Sequence, residues 1–291
     1  MMTDPIFAIT LECTMVHQWG DIDHAMEASS FKKNVKMGAR MAGGMIVSAI
    51  KTTLRAIGGL FLRFGTFILN KIKEFRDRKK TKAAKEAAKA KGPTRTSEKG
   101  LYRSNADQYM TEEEAADFNK ALAEARDLMD GIFKNKFMAE LARFANNPVS
   151  YARNHLGKEA DLKEAYRKAD DQRRDFNAAM MEVSRAVISA KKVPPASCYR
   201  SLESMGAKIQ EMGKYALEQA KIYDGISAPS NDNYFSDNKG EEINALISEI
   251  QEEAKWYFKG FTGTCNDCYQ RIFSILKDMD AAIKAEDAKA A

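Results

Sequence analysis

Apolar residues recur every three or four positions along most of the chain, which is the spacing of an amphipathic α-helix. The most regular series runs between residues 46 and 75, and similar series follow from Thr111 onward. Breaks rich in Asn, Pro and Gly separate them, and no alternating strand pattern of useful length occurs. The pattern predicts an all-α protein with a mobile, basic, amphipathic N-terminal helix and a C-terminal antiparallel bundle of four or five helices.

Local sequence signals mark the ends of the bundle helices. Thr111 and Glu114 form a capping box before the first helix, and an Asn-Asn-Pro sequence at 146–148 ends it. A Pro-Pro pair at 194–195 ends the second helix, and a long polar loop ends the third. Gly263 is expected to separate a fourth helix from a fifth.

Charge divides the chain more sharply than hydrophobicity does. Residues 32–103 carry 20 Lys and Arg against four acidic residues, whereas residues 1–31 carry five acidic residues and neither Lys nor Arg. This segregation indicates a polyanionic partner for the middle of the chain, or masking of the middle by the acidic ends. The predicted segments are an acidic leader at 1–30, a cationic amphipathic helix at 31–80, a basic linker at 81–110 and the helical bundle at 111–291.

The cationic helix presents two chemically different faces. Its apolar face, the candidate docking face, consists of Ile50, Leu54, Ile57, Phe61, Phe64 and Ile68. Its candidate polyanion-binding residues are Lys51, Arg55, Arg63, Lys73, Arg76, Arg78, Lys79 and Lys80. Gly pairs at 43–44 and 58–59 weaken a helix interior by about 1 kcal/mol per glycine and predict a hinge.

Three interpretations of this helix follow from its two faces. Lys and Arg at this density neutralise phosphates, which gives salt-sensitive affinity for nucleic acid that does not depend on base sequence. Alternatively, the helix lies in an anionic membrane surface with its apolar face down. In the third interpretation the apolar face docks on a partner subunit or on the bundle, and the basic face stays exposed.

The sequence favours a reducing compartment and no conventional transmembrane span. A span needs roughly 20 apolar residues, but the uncharged run from Met41 ends at Ile50 and is followed by Lys51. We expect no secretory signal, because a basic segment followed by an apolar run is missing from the N-terminus. Four cysteines in 291 residues do not make a disulfide scaffold.

The sharpest local motif with candidate chemistry is the CxxC pair of Cys265 and Cys268. Such a pair at a helix start can exchange disulfides or supply half of a zinc site. The first role expects a strand–helix context, and the second needs a further pair of ligands; the sequence offers neither. Nucleophile and phosphate-loop motifs are also missing. We therefore predict a non-enzymatic protein without a metal, a cofactor or a small-molecule substrate.

Two stretches near the N-terminus, AMEASSFKK and FILNKIKEF, carry a family resemblance. The order of acidic leader, small-residue junction, basic amphipathic segment and helical body resembles internal virion proteins of large tailed bacteriophages. Ala25-Met26-Glu27 is similar to the small-x-Glu sites that prohead proteases cut, so the resemblance implies processing between Glu27 and Ala28. It also implies a location in the virion interior or the host cytoplasm.

The function that the resemblance favours is that of a virion or assembly structural protein. Such a protein would contact nucleic acid and partner subunits through its basic amphipathic segment. The alternative function is peripheral membrane binding or membrane perturbation through residues 41–75. A redox or metal role of Cys265 and Cys268 is the third.

Overall fold

A computed structural model describes residues 35–90, 108–225 and 240–290. Its α-helices are α1 (Val35–Ala90), α2 (Glu112–Phe133), α3 (Lys136–Asn146), α4 (Pro148–His155), α5 (Glu159–Ala190), α6 (Tyr199–Ile222) and α7 (Gly240–Ala290). Short 3₁₀ turns lie at Ala196–Cys198 and Tyr223–Gly225. Within these ranges there is no β-strand, only a single bridge between Tyr109 and Val193. The prediction of an all-α fold is confirmed. The predicted leader and its processing site at Glu27 and Ala28 lie outside the described residues.

The first bundle helix is two helices, because Asn135 starts a new one. The Asn135 side-chain oxygen accepts a hydrogen bond from the backbone N–H of Met138 at 2.9 Å, which satisfies a donor that the first turn of α3 leaves free. Asn147 caps α4 in the same way through the N–H of Ser150 at 3.0 Å. Its neighbour Pro148 occupies the first helical position, where no N–H is needed.

By contrast, α7 continues through Gly263 as one helix. A glycine costs about 1 kcal/mol of helix propensity, which the burial of its neighbours outweighs. Phe261, Thr262, Thr264 and Cys265 are all buried. The expected separation into a fourth and a fifth helix at this glycine is therefore replaced by a single long one.

The described residues form two compact units, each drawing on three parts of the chain. The first unit uses the described parts of Met1–Phe61, Leu128–Asp175 and Met212–Asn266. The second uses those of Leu62–Asp127, Phe176–Glu211 and Asp267–Ala291. We predicted a helix at 31–80 separate from a bundle at 111–291, whereas the structure gives α1 a part in both units. The reason is its apolar face, which packs against the other helices and is thereby removed from water.

An aromatic cluster forms the core of the first unit. Phe133 lies between Phe61 and Phe261, with ring centroids 5.5 Å and 4.9 Å apart respectively. Phe137 contacts Tyr257 edge-to-face at 5.2 Å. The buried Tyr257 hydroxyl donates a hydrogen bond to the Ile132 carbonyl at 2.9 Å and accepts one from the Asn135 side chain at 2.8 Å. The polar tip of this buried ring is thus satisfied.

The second unit has its own aromatic core on the continuation of α1. Phe64 contacts Tyr269 with ring centroids 4.5 Å apart, and Phe67 contacts Phe273 at 5.8 Å. Ile68, on the same stretch of α1, is fully buried. Phe64 and Phe67 of α1 therefore pack against the last part of α7.

Glycines bring the backbones of α1 and α6 into close contact. In the first unit, a Cβ placed on Gly58 would lie 2.9 Å from the carbonyl oxygen of Gly213. In the second unit, a Cβ on Gly65 would lie 2.6 Å from the carbonyl oxygen of Gly206. Gly58 is therefore a packing residue, not the hinge that its sequence context predicts.

Candidate polyanion-binding surface

The candidate docking face of α1 is buried within the protein itself. Its six side chains have exposed fractions of 0–2%: Ile50 0%, Leu54 1%, Ile57 0%, Phe61 1%, Phe64 2% and Ile68 0%. In each unit this face lies against helices of the same chain. Of the three interpretations of the helix, docking on the chain's own bundle is the arrangement that the structure contains.

One stretch of α1, Val47–Thr81, has the length and the mean hydropathy, 1.2, to cross a membrane. Half of its most apolar window is buried inside the structure. A core helix of a soluble protein meets the same criteria, so length and composition are weak evidence for a span. No clear transmembrane span therefore occurs within the three described ranges.

In the N-terminal part of the basic face, two cations share one aspartate from the 3₁₀ turn that follows α6. Arg55 donates to both carboxylate oxygens of Asp224 at 2.7 and 2.8 Å, and the Lys51 ammonium lies 3.2 Å from the same carboxylate. The hydrogen bond from Lys51 and the charge of Arg55 hold the pKa of Asp224 below its usual value. These two candidate residues are thus already paired with a carboxylate of the same chain.

Arg76 and Arg78 of the second unit are also paired. Arg76 contacts Glu203 of α6 at 2.6 Å. Arg78 contacts Glu74 one turn earlier and lies 3.8 Å from Asp280 of α7. Both arginines are therefore paired with carboxylates of the same unit, and Arg78 shares its two carboxylates with Lys71.

Three of the candidate residues keep an uncompensated charge. Lys73, Lys79 and Lys80 are exposed, and none of them forms an ion pair with a residue that the structure describes. We call these three residues the lysine surface. The remaining candidate, Arg63, is exposed as well. The predicted polyanion-binding set thus contains four residues that are paired with carboxylates, Arg63, and the three residues of the lysine surface.

Sequence spacing does not reveal the carboxylates that pair with Arg55 and Arg76. Asp224 lies 169 positions from Arg55, and Glu203 lies 127 positions from Arg76. An acidic residue one helical turn away, such as Glu74, can be read from periodicity. A partner on another helix needs the tertiary fold.

The CxxC thiols are buried inside α7, not at a helix start. Cys265 is 0% exposed in the first unit and Cys268 is 1% exposed in the second. Burial raises the pKa of Cys268 to about 12, which keeps it a neutral thiol at pH 7. Disulfide exchange needs an accessible thiolate. No group of three or more His, Cys, Asp or Glu in the described ranges is placed to hold a metal ion.

Within the described residues the protein is an all-α helical bundle, and the lysine surface lies on its helix α1. Comparison with protein-family models, with curated proteins and with solved structures finds no match.

Proposed function

We propose that the protein is a non-enzymatic structural or assembly protein that contacts nucleic acid through the lysine surface of α1. The observation that carries the proposal is the uncompensated charge of Lys73, Lys79 and Lys80. An ammonium without a carboxylate partner can neutralise a phosphate, and the release of the counterions condensed on the nucleic acid drives binding.

The chain around the lysine surface strengthens this electrostatic argument. Residues 71–90 of α1 contain nine Lys and Arg against the three acidic residues Glu74, Asp77 and Glu86. Glu74 already contacts both Lys71 and Arg78. The segment is therefore strongly cationic overall, and phosphates spaced along a nucleic-acid strand are a matching ligand.

The finer assignment to a virion rests on the resemblance of the N-terminal layout. Cleavage between Glu27 and Ala28 would remove all five acidic residues of the leader. The remaining chain would then be more basic, which suits a protein that meets packaged nucleic acid and neighbouring subunits. Residues 71–90 would be its contact with nucleic acid.

The test is a titration of labelled DNA at several salt concentrations, followed by fluorescence anisotropy. The affinity of the native chain should fall steeply between about 50 and 200 mM salt. The triple variant K73Q/K79Q/K80Q should reduce the slope of log Kobs against log salt by about 2.7, which is roughly 0.9 for each lost phosphate contact.

A matched control loses the same charge elsewhere. Lys120, Lys158 and Lys214 are exposed and lie outside α1, so K120Q/K158Q/K214Q should leave the slope within about one contact of the native value. Equal slopes for the two triple variants would show that binding follows net charge alone and would remove the proposal. So would a native chain that fails to bind DNA at the lowest salt.

Peripheral membrane binding is the second candidate function, favoured by the hydropathy of Val47–Thr81. It requires α1 to leave both cores, because Phe61 and Phe64 are buried there. Flotation with vesicles of anionic lipid separates the two functions. Attachment that persists at about 500 mM salt, beyond the reach of surface charge, and that abolishes the near-UV circular dichroism of the native core would favour the membrane function.

A further inference from the structure

One large aromatic side chain is exposed on the surface of the first unit. Trp256 of α7 has an exposed fraction of 56%, whereas the next two residues along the chain, Tyr257 and Phe258, are buried. Successive positions of an α-helix are about 100° apart, so the three rings occupy different faces. Among the large exposed apolar side chains of the described residues, Trp256 is the only aromatic one. Its indole is therefore available for contact with another molecule.

Two lysines of α7 lie beside the exposed indole. The Lys259 ammonium is 5.1 Å from the centroid of the Trp256 ring, and that of Lys255 is 6.0 Å from it. Lys259 is exposed and forms no ion pair with a residue that the structure describes. Burial and the positive charge of Lys259 lower the pKa of Lys255, so the two ammonium groups repel each other. An anion beside them would relieve this repulsion.

The carboxylates nearest in sequence differ in their surroundings. Glu249 is paired with Lys163 of α5 at 2.7 Å, and the half-buried Glu253 interacts with the same two residues. These two acidic side chains are thus engaged with α5. Glu252 is exposed one helical turn before Trp256 and would oppose an approaching phosphate.

The surroundings of the indole suit neither a lipid nor an apolar protein surface. The four positions one turn away along α7 are polar or small, namely Glu252, Glu253, Lys259 and Gly260. The apolar contact is thus limited to a single ring with an ammonium beside it. One nucleotide matches this combination, because its base is a flat ring and its phosphate is an anion. In a duplex the bases are already paired and stacked, so only an unpaired base can reach the indole.

A base can displace the lysine from the indole. A cation–aromatic contact at an exposed position changes an equilibrium constant about two- to fivefold. Stacking of a base on an aromatic side chain changes it about 5- to 150-fold. The base is therefore preferred on the ring, and the displaced Lys259 ammonium can neutralise the adjacent phosphate.

We infer that Trp256 is a stacking site for an unpaired base of a single-stranded nucleic acid, with Lys259 as the contact to the adjacent phosphate. The inference rests on the proposed nucleic-acid function and refines it, because it names the form of nucleic acid that the protein prefers. The lysine surface neutralises phosphates of either form, whereas Trp256 distinguishes an unpaired base from a paired one.

The fluorescence of Trp256 gives a direct test. The chain contains two tryptophans, so the W19F variant keeps Trp256 as the sole one. Oligothymidylate should quench its emission, because stacking brings the base into contact with the indole. A duplex of equal length, at equal salt and equal saturation, should leave the emission unchanged. Quenching by anionic lipid vesicles without quenching by oligothymidylate would overturn the inference in favour of a membrane contact.

Affinities from fluorescence anisotropy locate the contact on the full chain. W256A should weaken binding of labelled oligothymidylate about 5- to 150-fold and leave duplex binding unchanged. W256F keeps a ring and should lose less. The matched control is I188A, which removes another exposed apolar side chain, 71% exposed on α5, and should change neither affinity.

Two charge variants test the phosphate contact. K259Q should reduce the slope of log Kobs against log salt for the single strand by about 0.7, the value for one phosphate contact. E252Q removes the opposing carboxylate and should strengthen single-strand binding.

The stacking site and the proposed function fail in different ways. Equal single-strand affinities of W256A and the native chain would overturn the stacking site and leave the nucleic-acid function in place. A native chain that binds neither form of DNA would remove both.

Discussion

Replacing Gly58 by alanine should destabilise the protein, whereas the same change at Gly59 should stabilise it. A Cβ at position 58 would lie 2.7 Å from Cγ of Leu217 and 2.9 Å from the carbonyl oxygen of Gly213. Carbon atoms normally approach to about 3.5 Å. The leucine side chain can turn aside, but the Gly213 carbonyl belongs to the backbone of α6. A Cβ at position 59 has no atom within 4 Å.

The size of the effect follows from two opposing contributions to the free energy of unfolding. Alanine gains about 1 kcal/mol over glycine in a helix interior, and this gain applies at both positions. Overpacking in a closely packed interior costs about 1–3 kcal/mol, and this cost applies only at Gly58. Gly59→Ala should therefore stabilise by about 1 kcal/mol, and Gly58→Ala should destabilise by about 0–2 kcal/mol.

Urea unfolding followed by circular dichroism measures both variants, and their difference isolates the steric cost. Gly263→Ala is a further control on α7, because a Cβ there also meets nothing within 4 Å. Gly65→Ala tests the second unit and should be more costly than Gly58→Ala, because its Cβ would lie 2.6 Å from the Gly206 carbonyl oxygen. If Gly58→Ala proved as stable as Gly59→Ala, the close approach of α1 and α6 would be refuted.

Two further predictions concern the aromatic core and the buried thiols. Asn135→Ala removes the cap of α3 and the hydrogen bond to Tyr257, so thermal unfolding should show a loss of about 2 kcal/mol; Asn135→Asp keeps the cap acceptor and should lose less, and equal losses would contradict this. Burial raises the pKa of Cys268 from 9.0 to about 12 and that of Cys198 from 9.0 to about 11. Unfolding releases protons above pH 9, so the stability from these thiols is complete below pH 9 and declines as the pH rises towards these values. A free energy of unfolding that does not change between about pH 8 and 11, or rapid native reaction of Cys268 with a thiol reagent, would count against this burial.

Local structural features of this protein can be predicted directly from the sequence. The capping box is present as predicted, because the backbone N–H of Thr111 donates to Glu114 at 2.7 Å and the N–H of Glu114 donates to the Thr111 hydroxyl at 3.3 Å. The buried face of α1 is also the face that the 3.6-residue period selects. Both signals involve residues three or four positions apart, so no tertiary information is needed.

Periodicity does not reveal what covers a buried face. The spacing of Phe64 and Ile68 is equally suited to a lipid surface, a partner subunit or the chain's own helices. The cover in the structure includes Tyr269, which lies far along the chain from Phe64. For the same reason the three lysines of the lysine surface could not be separated from Lys51 and Arg55 by sequence.

A cavity of about 500 Å³ in the second unit is even harder to predict from the sequence than the cover of α1. Its lining is assembled from four separate parts of the chain, and no two of these parts share a helical period. Tyr109 and Glu286 meet only because the fold brings the segment before α2 beside the end of α7. A glycine such as Gly263 is also ambiguous, because helix continuation there depends on the burial of its neighbours.

Because α1 is covered by helices that follow it in the sequence, its apolar face is exposed during synthesis. Its partners emerge from the ribosome late: Gln210 follows Thr66 by 144 residues, and Asp224 follows Arg55 by 169 residues. At about 5–20 residues per second, the ribosome completes α6 and α7 on the order of ten seconds after α1. Throughout that interval the nascent chain exposes a row of Ile, Leu and Phe side chains, which is the feature that chaperones bind. A fragment that ends before α6 would lack the residues of α6 and α7 that cover this face, so it should aggregate more readily than the full chain.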